Sequence, residues 1–433
     1  MGYPYMKFDR RRFLQAFGAS AAAAVSPSVL RAATSSGFAS RVMVIGGGFA
    51  GATAAKYLRM WGGDSVAVTL VDPKVSHTSC VLSNLVLNRR MSLGELKMSY
   101  GTLSSQYGVN VIRDRAIEID GPKHKVKLRD GGWQPYDYLV LATGIGFKWL
   151  KNVDYKLTPH AWIAGPQTNL LARKVNSLQA GQTFVMTIPK SPYRCPPGPY
   201  ERACVVADIL KRKGFDGGDT KVLVLDGNGS IQAERHTFEN AFNNLYSNII
   251  EYRTGVTVKD VVSAENRVIT DSGDIVGDLV NVIPNQHAPR FIRKSGLTDG
   301  GKGWATVDPL TYASTHADYP GVHIIGDAQA TGQPKSAHMA NSQAKVCADA
   351  IIRLIADLPV DSDDRVANIT TNSACYSPIT YDEASWLTAN FAYNPDTGQM
   401  GLVGDLGEAE SWNRENYQEM FAWASNLFTD TWH

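Results

Sequence analysis

Arg41-Val42-Met43-Val44-Ile45-Gly46-Gly47-Gly48-Phe49-Ala50-Gly51 opens a strand, a glycine turn and a helix. The helical run continues over 52–61, and a second apolar run, 66–71, ends on Asp72. Strand, GxGxxG, helix, strand and terminal acid make a dinucleotide-binding βαβ unit, each part with its own task. Gly46 permits the tight turn, Gly48 lets a pyrophosphate approach the backbone, and Gly51 lets helix and strand pack closely. Asp72 stands where a carboxylate accepts hydrogen bonds from an adenosine ribose.

That unit does not separate FAD from NAD, but two later stretches do. Tyr136-Asp137-Tyr138-Leu139-Val140-Leu141-Ala142-Thr143-Gly144 resembles the strand that closes the first FAD segment in flavoproteins with two dinucleotide domains. Val322-His323-Ile324-Ile325-Gly326-Asp327-Ala328 resembles their second FAD motif, in which the Asp carboxylate holds the ribityl chain. Pro334-Lys335-Ser336 then precedes a helical run over 337–358. Its N-terminal dipole would face the N1/C2=O edge of a flavin, and Lys335 could add a full charge there.

Residues 184–226 have a second strand–loop–helix–strand layout, between Phe184-Val185-Met186-Thr187-Ile188 and Val222-Leu223-Val224-Leu225-Asp226. The loop between them is wrong for a nucleotide. Arg194-Cys195-Pro196-Pro197-Gly198-Pro199-Tyr200-Glu201-Arg202 replaces backbone N–H donors with prolines and sets a cysteine beside them. It reads as a nicotinamide site that has become a thiol site. Asp226 stands where an NAD ribose acid would, with no pyrophosphate site upstream, and reads as a remnant or a surface turn.

The chain has 433 residues, enough for two or three domains. A formal charge of +2 offers no argument for nucleic acid or an anionic membrane. No apolar run approaches the ~20 residues of a membrane span. Five cysteines, Cys80, Cys195, Cys204, Cys347 and Cys375, form no CxxC pair, which argues against a zinc cluster and leaves no metal site to name. At the N-terminus, Asp9-Arg10-Arg11-Arg12-Phe13-Leu14-Gln15 and the small apolar residues after it resemble a twin-arginine export signal over 1–33. The expected location is a bacterial periplasm, where a disulfide persists.

With His77-Thr78-Ser79-Cys80-Val81-Leu82-Ser83-Asn84 and Ala374-Cys375-Tyr376-Ser377, the proline-rich segment resembles the flavoprotein subunit of flavocytochrome c sulfide dehydrogenase, over essentially the whole chain from Arg41. The resemblance implies an α/β, disulfide-reductase-like flavoprotein with Rossmann-type domains. An FAD-binding domain would take 38–150 and 291–364. A second, NAD-like domain without a nicotinamide site would take 151–290, and a C-terminal interface domain 365–433. Cys80 matches the cysteine bonded to the flavin 8α-methyl group, although the residues around it depart in detail from the family pattern. Cys195 and Cys375 match the redox-active pair, and Glu201 an acid near them that carries protons. Arg194 and Arg202 are candidates to hold thiolates charged, while Cys204 and Cys347 read as small buried hydrophobes.

The implied chemistry is attack of hydrosulfide on the Cys195–Cys375 disulfide, passage of two electrons to FAD and release of sulfur as polysulfide. The sequence has no CxxCH motif, so haem c would sit on a separate cytochrome c subunit in a heterodimer. The aromatics Trp386, Phe391, Tyr393, Trp412, Tyr417, Phe421, Trp423, Phe428 and Trp432 mark a candidate landing site, or else a small aromatic core. Sulfide:quinone oxidoreductase, NAD(P)H-dependent disulfide or ferredoxin reductase, and a non-catalytic FAD-carrying subunit are the competing readings.

Overall fold

A computed structural model describes residues 40–299 and 303–433, so the expected signal segment 1–33 lies outside the described residues. The first βαβ unit forms as the glycine pattern predicts: β1 (Ser40–Ile45), α1 (Phe49–Gly62) and β2 (Val66–Asp72). β3 (Asn110–Arg113) and β4 (Tyr138–Leu141) follow. The chain then builds β5 (Thr183–Ile188), α2 (Gly198–Arg212), β6 (Lys221–Asp226), β7 (Ile250–Arg253) and β8 (Leu279–Val282). It returns with β9 (Val322–Ile324) and α3 (Ala337–Ile355). The C-terminal part is an antiparallel meander, β10 (Thr370–Pro378), β11 (Ala384–Asn394) and β12 (Gln399–Glu408), followed by α4 (Arg414–Trp432).

Two parallel sheets carry the architecture. The first has the order β9-β4-β1-β2-β3 and the second β7-β6-β5-β8. Alternation along β1 shows why both faces are covered. Val42 and Val44 pack with Ala54 and Leu58 of α1 and Ala348 and Ile351 of α3, whereas Met43 and Ile45 pack with Val126, Leu128 and Tyr136 on the other side. Those last residues belong to, or adjoin, a three-stranded antiparallel layer over 116–135. The second sheet repeats the design. Phe184 and Met186 face Val206 and Leu210 of α2, and Val185, Leu223 and Val280 face Val261 and Val268 of another small antiparallel sheet.

The C-terminal helix is fastened to the first domain. Asn413 caps α4 by accepting from the Asn416 N–H at 2.8 Å. At its other end the Lys56 ammonium donates to the carbonyls of Thr429 and Asp430 at 3.1 and 3.0 Å, a cation on the negative end of the helix dipole. Trp432 is wholly buried, its ring 4.8 Å from Phe49 and stacked on His77 at 5.3 Å. Its Nε1–H reaches the Gly47 carbonyl at 3.3 Å, so the chain end closes over the glycine turn. Among the described residues, no helix is long and apolar enough to cross a membrane.

Candidate functional site

The dinucleotide loop is shaped by three glycines and one acid. Gly46 has φ +105°, and a Cβ there would lie 2.4 Å from the Ala142 carbonyl oxygen. A Cβ on Gly51 would come within 1.8 Å of the Gly46 carbonyl oxygen, so helix and turn can meet only through glycine. A Cβ on Gly48 would meet only the His77 ring, at 3.5 Å. Asp72 accepts from the Gly47 N–H and the Lys74 N–H, both at 2.8 Å, which turns the carboxylate toward the loop.

Buried polar atoms around this loop without a protein partner include Thr143 Oγ1 at the end of β4, Asp327 Oδ1 after β9, His77 Nε2 and the Tyr100 hydroxyl beside Gly47. Gly144 and Gly326, at φ +69° and +73°, turn the chain beside the first two. Burying such groups without hydrogen bonds costs about 1–3 kcal/mol each, so their alignment marks a place for a polar ligand. The hydroxyl and carboxylate suit the hydroxyl-rich chain of FAD, so the residues present fit that cofactor. Burial raises the Asp327 carboxyl above the ordinary range, while Arg194 and Lys335 pull it back. Lys335 itself is committed. Its ammonium donates to the carbonyls of Asp327 at 2.9 Å and Gln329 at 2.6 Å, and lies 3.9 Å from the Trp304 ring centre. Burial lowers its pKa to about 8. Lys335 therefore secures the Asp327 turn. The start of α3 is left to the Ser336 cap, which accepts from the Met339 N–H at 3.1 Å.

The thiols gather on the same side. Cys195, at φ +59°, sits in the left-handed region that non-glycine residues seldom enter, a form of local strain found at functional sites. Two bonds hold it: its N–H donates to the Lys335 carbonyl at 2.7 Å, and its carbonyl accepts from the Gly198 N–H at 3.0 Å. Its sulfur folds back over the start of α2, where a Cβ on Gly198 would lie 2.8 Å from Sγ. Cys375 arrives on β10, beside Ala374, whose N–H donates to His338 Nδ1 on α3 at 3.0 Å. Cys195 is under the electrostatic influence of Cys375, Glu201, Cys80 and Arg194, and Cys375 under that of Glu234, Glu201 and Cys80. The fold thus brings Cys80, Cys195, Cys375 and Glu201 into one neighbourhood with Asp327. All five cysteines are free thiols, with Cys204 and Cys347 buried as expected. Burial pushes the Cys80, Cys195 and Cys375 thiols up, Cys375 to about 12, and for Cys195 it outweighs the opposing pull of Arg194.

Glu201 is buried in the first turn of α2, and burial raises its pKa to about 8 despite a hydrogen bond with Asn84 and the charge of Arg202. Burial therefore favours its protonated form. Arg202 is no surface base. Buried, it donates to Asn84 Oδ1, the His160 carbonyl and Asn281 Oδ1, each at 3.0 Å, and to the Ala161 carbonyl at 2.7 Å. Its guanidinium therefore braces the loop and leaves Arg194 as the cation closest in effect to the thiols.

Asp226 is neither a remnant nor a surface turn. It is fully buried, and its Oδ2 accepts from the Tyr200 and Tyr252 hydroxyls at 2.8 and 2.7 Å. Its Oδ1 accepts from the Asn228 N–H and side-chain amide at 2.8 and 2.7 Å. With both oxygens taken, the carboxylate locks the helix after the proline loop to its sheet and has nothing left for a ribose. The C-terminal aromatics also face inward more than expected. Tyr417 and Trp432 are buried and the others half-buried, while the exposed apolar side chains of this region are Leu402, Val403 and Leu406 on β12.

Sequence reasoning missed three parts of the site. Asn84 joins Glu201 to Arg202 and donates to the Gly198 carbonyl at 3.2 Å. His77 faces Gly48. Glu234 is a second buried acid, beside Cys375. Only the position of Asn84, four residues after Cys80, offered a local signal. Glu234 lies in a polar loop, and tertiary contact alone makes it special.

Comparison with known proteins agrees with this geometry. Residues 40–156 match the pyridine nucleotide-disulphide oxidoreductase model, and residues 168–284 match the model for the central part of the sulfide dehydrogenase (flavocytochrome c) flavoprotein chain. The mitochondrial sulfide:quinone oxidoreductase of Dictyostelium discoideum is 21% identical over 396 residues, covering 88% of this chain and 82% of that protein. A 46-residue stretch, 11% of this chain, is 54% identical to the sulfide dehydrogenase (flavocytochrome c) flavoprotein chain of Chlorobaculum thiosulfatiphilum and covers 94% of that sequence. In fold, the sulfide:quinone oxidoreductase of Aquifex aeolicus superposes with a TM-score of 0.72 at 17% identity, over 91% of this chain and 92% of that one. A putidaredoxin reductase follows with a TM-score of 0.60 at 16% identity, over 90% and 93%. The fold is thus the Rossmann-like, mixed α/β fold of these reductases.

Proposed function

The chain belongs to the flavoproteins that join a pyridine nucleotide-disulphide oxidoreductase domain to the central domain of a sulfide dehydrogenase flavoprotein chain, and we propose that it oxidises sulfide with FAD and passes the electrons to a cytochrome c on a separate chain. The observation that carries the reading is the convergence of Cys195, Cys375 and Glu201 with Cys80, on which the unpartnered Asp327 carboxyl acts. Cys195 and Cys375 cycle between the thiols seen here and a disulfide. Hydrosulfide attacks one sulfur; the S–S bond breaks, leaving a persulfide on one cysteine and a thiolate on the other. A second hydrosulfide takes the outer sulfur away as the hydrodisulfide anion, HSS⁻, and the proton of the persulfide stays on the cysteine as a thiol. The remaining thiol–thiolate pair closes to the disulfide, giving up one proton and two electrons. Bound FAD supplies the two-electron acceptor that hands electrons on singly. Asp327, Thr143 and Asp72 would hold it, and Cys80 would tether it. Glu201, raised to about 8, receives and returns the proton that moves with each turnover. Arg194 favours the thiolate as it forms. The resemblance of 1–33 to a twin-arginine signal supports work in a periplasm, and the match to the sulfide dehydrogenase (flavocytochrome c) flavoprotein chain supports a separate haem subunit.

Sulfide:quinone oxidoreductase is the second reading, supported equally by the Dictyostelium discoideum relative and the Aquifex aeolicus fold. The two differ only in the acceptor. Anaerobic sulfide titration, followed by flavin absorbance, tests the common part. Flavin should bleach in the wild type and fail to do so at the same rate in Cys195→Ser. Equal rates would end the disulfide mechanism. Adding soluble cytochrome c or a short-chain quinone to the reduced protein then decides the acceptor.

A further inference from the structure

Glu234 is 2% exposed, on the loop that starts the short helix Arg235–Asn240. Its Oε2 accepts from the Ser377 hydroxyl, and its Oε1, also buried, has no hydrogen-bond partner. Ser377 lies two residues beyond Cys375 on β10, so both side chains leave the same face of the strand. The Ser377 bond therefore brings the Glu234 carboxyl under Cys375. The same carboxyl is the charged group with the largest effect on Cys375, whereas Cys195 feels Cys375 first and, among carboxyls, Glu201. The charged groups acting on Glu234 from the packed elements are Glu408 and Glu201, both acids, and it acts in turn on the Cys204 thiol. Toward the surface, the Ser385 hydroxyl on β11 lies 2.9 Å from the Thr237 hydroxyl. The Thr237 N–H in turn holds half-buried Glu408 at 2.9 Å.

We propose that Glu234 is a second proton-carrying residue of this site, serving Cys375 as Glu201 serves Cys195. Each cysteine then has its own acid. When the pair is reduced, the proton on the Cys375 sulfur comes from Glu234. When the pair is oxidised, the Cys375 S–H bond breaks and its proton returns to Glu234, the S–S bond to Cys195 forms, and two electrons pass to the acceptor that bound FAD would supply. The buried Oε1, with no hydrogen-bond partner, leaves one carboxyl oxygen of Glu234 available to hold a proton.

This inference rests on the reading of Cys195 and Cys375 as a redox pair, so its test avoids sulfide. The FAD-loaded protein is reduced with a phosphine, and the infrared difference between oxidised and reduced forms is recorded in the region of protonated carboxyl groups. Two bands should respond, one lost in Glu201→Gln and the other in Glu234→Gln. Glu234→Asp keeps the acid and shifts the second band, which covers failure of the glutamine variant to fold. If both variants at position 234 leave every carboxyl band unchanged, the inference is overturned. If the band responds but sulfide never bleaches the flavin, the sulfide reading fails and the role of Glu234 stands. In single-turnover reduction, Glu234→Gln should also slow the rate about tenfold or more and flatten its pH profile. Cys204→Ala, at a buried neighbour outside the proton path, should leave that profile as it is.

Discussion

Replacing Glu201 by Gln should change how stability depends on pH, by an amount the structure sets. The carboxyl's pKa rises from 4.5 to about 8 because it is buried. Below 4.5 both folded and unfolded chains carry the proton. Between 4.5 and about 8 the unfolded chain releases it and the folded chain does not, so stability falls as pH rises; above about 8 both are ionised and this contribution is fully lost. At ~1.4 kcal/mol per unit the whole span is about 5 kcal/mol. Glu234, also raised to about 8, behaves in the same sense, so the two together should cost about 3 kcal/mol per pH unit. Glu201→Gln stays neutral throughout, and the variant should lose about half of that slope. The assay is urea unfolding of the FAD-loaded protein at several values from about pH 5 to about pH 9, compared as variant minus wild type so that other titrating groups cancel. A difference that stays constant across this window would refute the argument that burial keeps Glu201 protonated.

Three further outcomes follow from the same contacts. Trp432→Ala removes a fully buried ring wedged against Phe49 and His77, and should lower unfolding free energy by about 3–5 kcal/mol and weaken flavin retention on gel filtration. Asp226→Ala strands the Tyr200 and Tyr252 hydroxyls and should cost about 3 kcal/mol or more by urea unfolding; NADH should fail to bleach the flavin of the wild type and the variant alike, because no ribose site exists to be restored. Cys80→Ser should release flavin into the supernatant on acid precipitation while the wild type keeps it in the pellet; equal release from both would rule out a covalent bond through Cys80.

The glycine turn, both parallel sheets and the FAD-type cradle could be read from the chain because their information is local. Gly46, Gly48 and Gly51 are required by close approach within a few residues, and the alternating burial along β1 follows from the strand's own period. The proline loop is likewise a local signal, since prolines cannot donate to a pyrophosphate. Tertiary structure alone decided what the charged residues do. Arg202, Lys335 and Asp226 look alike in sequence to solvent-facing groups, yet each is buried and committed: Arg202 to Asn84, 118 residues away, Asp226 to Tyr200 and Tyr252, each 26 away, and Lys335 to the nearby Asp327 and Gln329 carbonyls. Cys375 meets the Cys195 loop only because β10 follows α3 back across the FAD-type domain. Glu234 becomes an acid of that site through Ser377, a residue 143 positions later. Long-range contacts of this kind leave no spacing to read, because the chain between them is free to vary while the two ends are held by the fold.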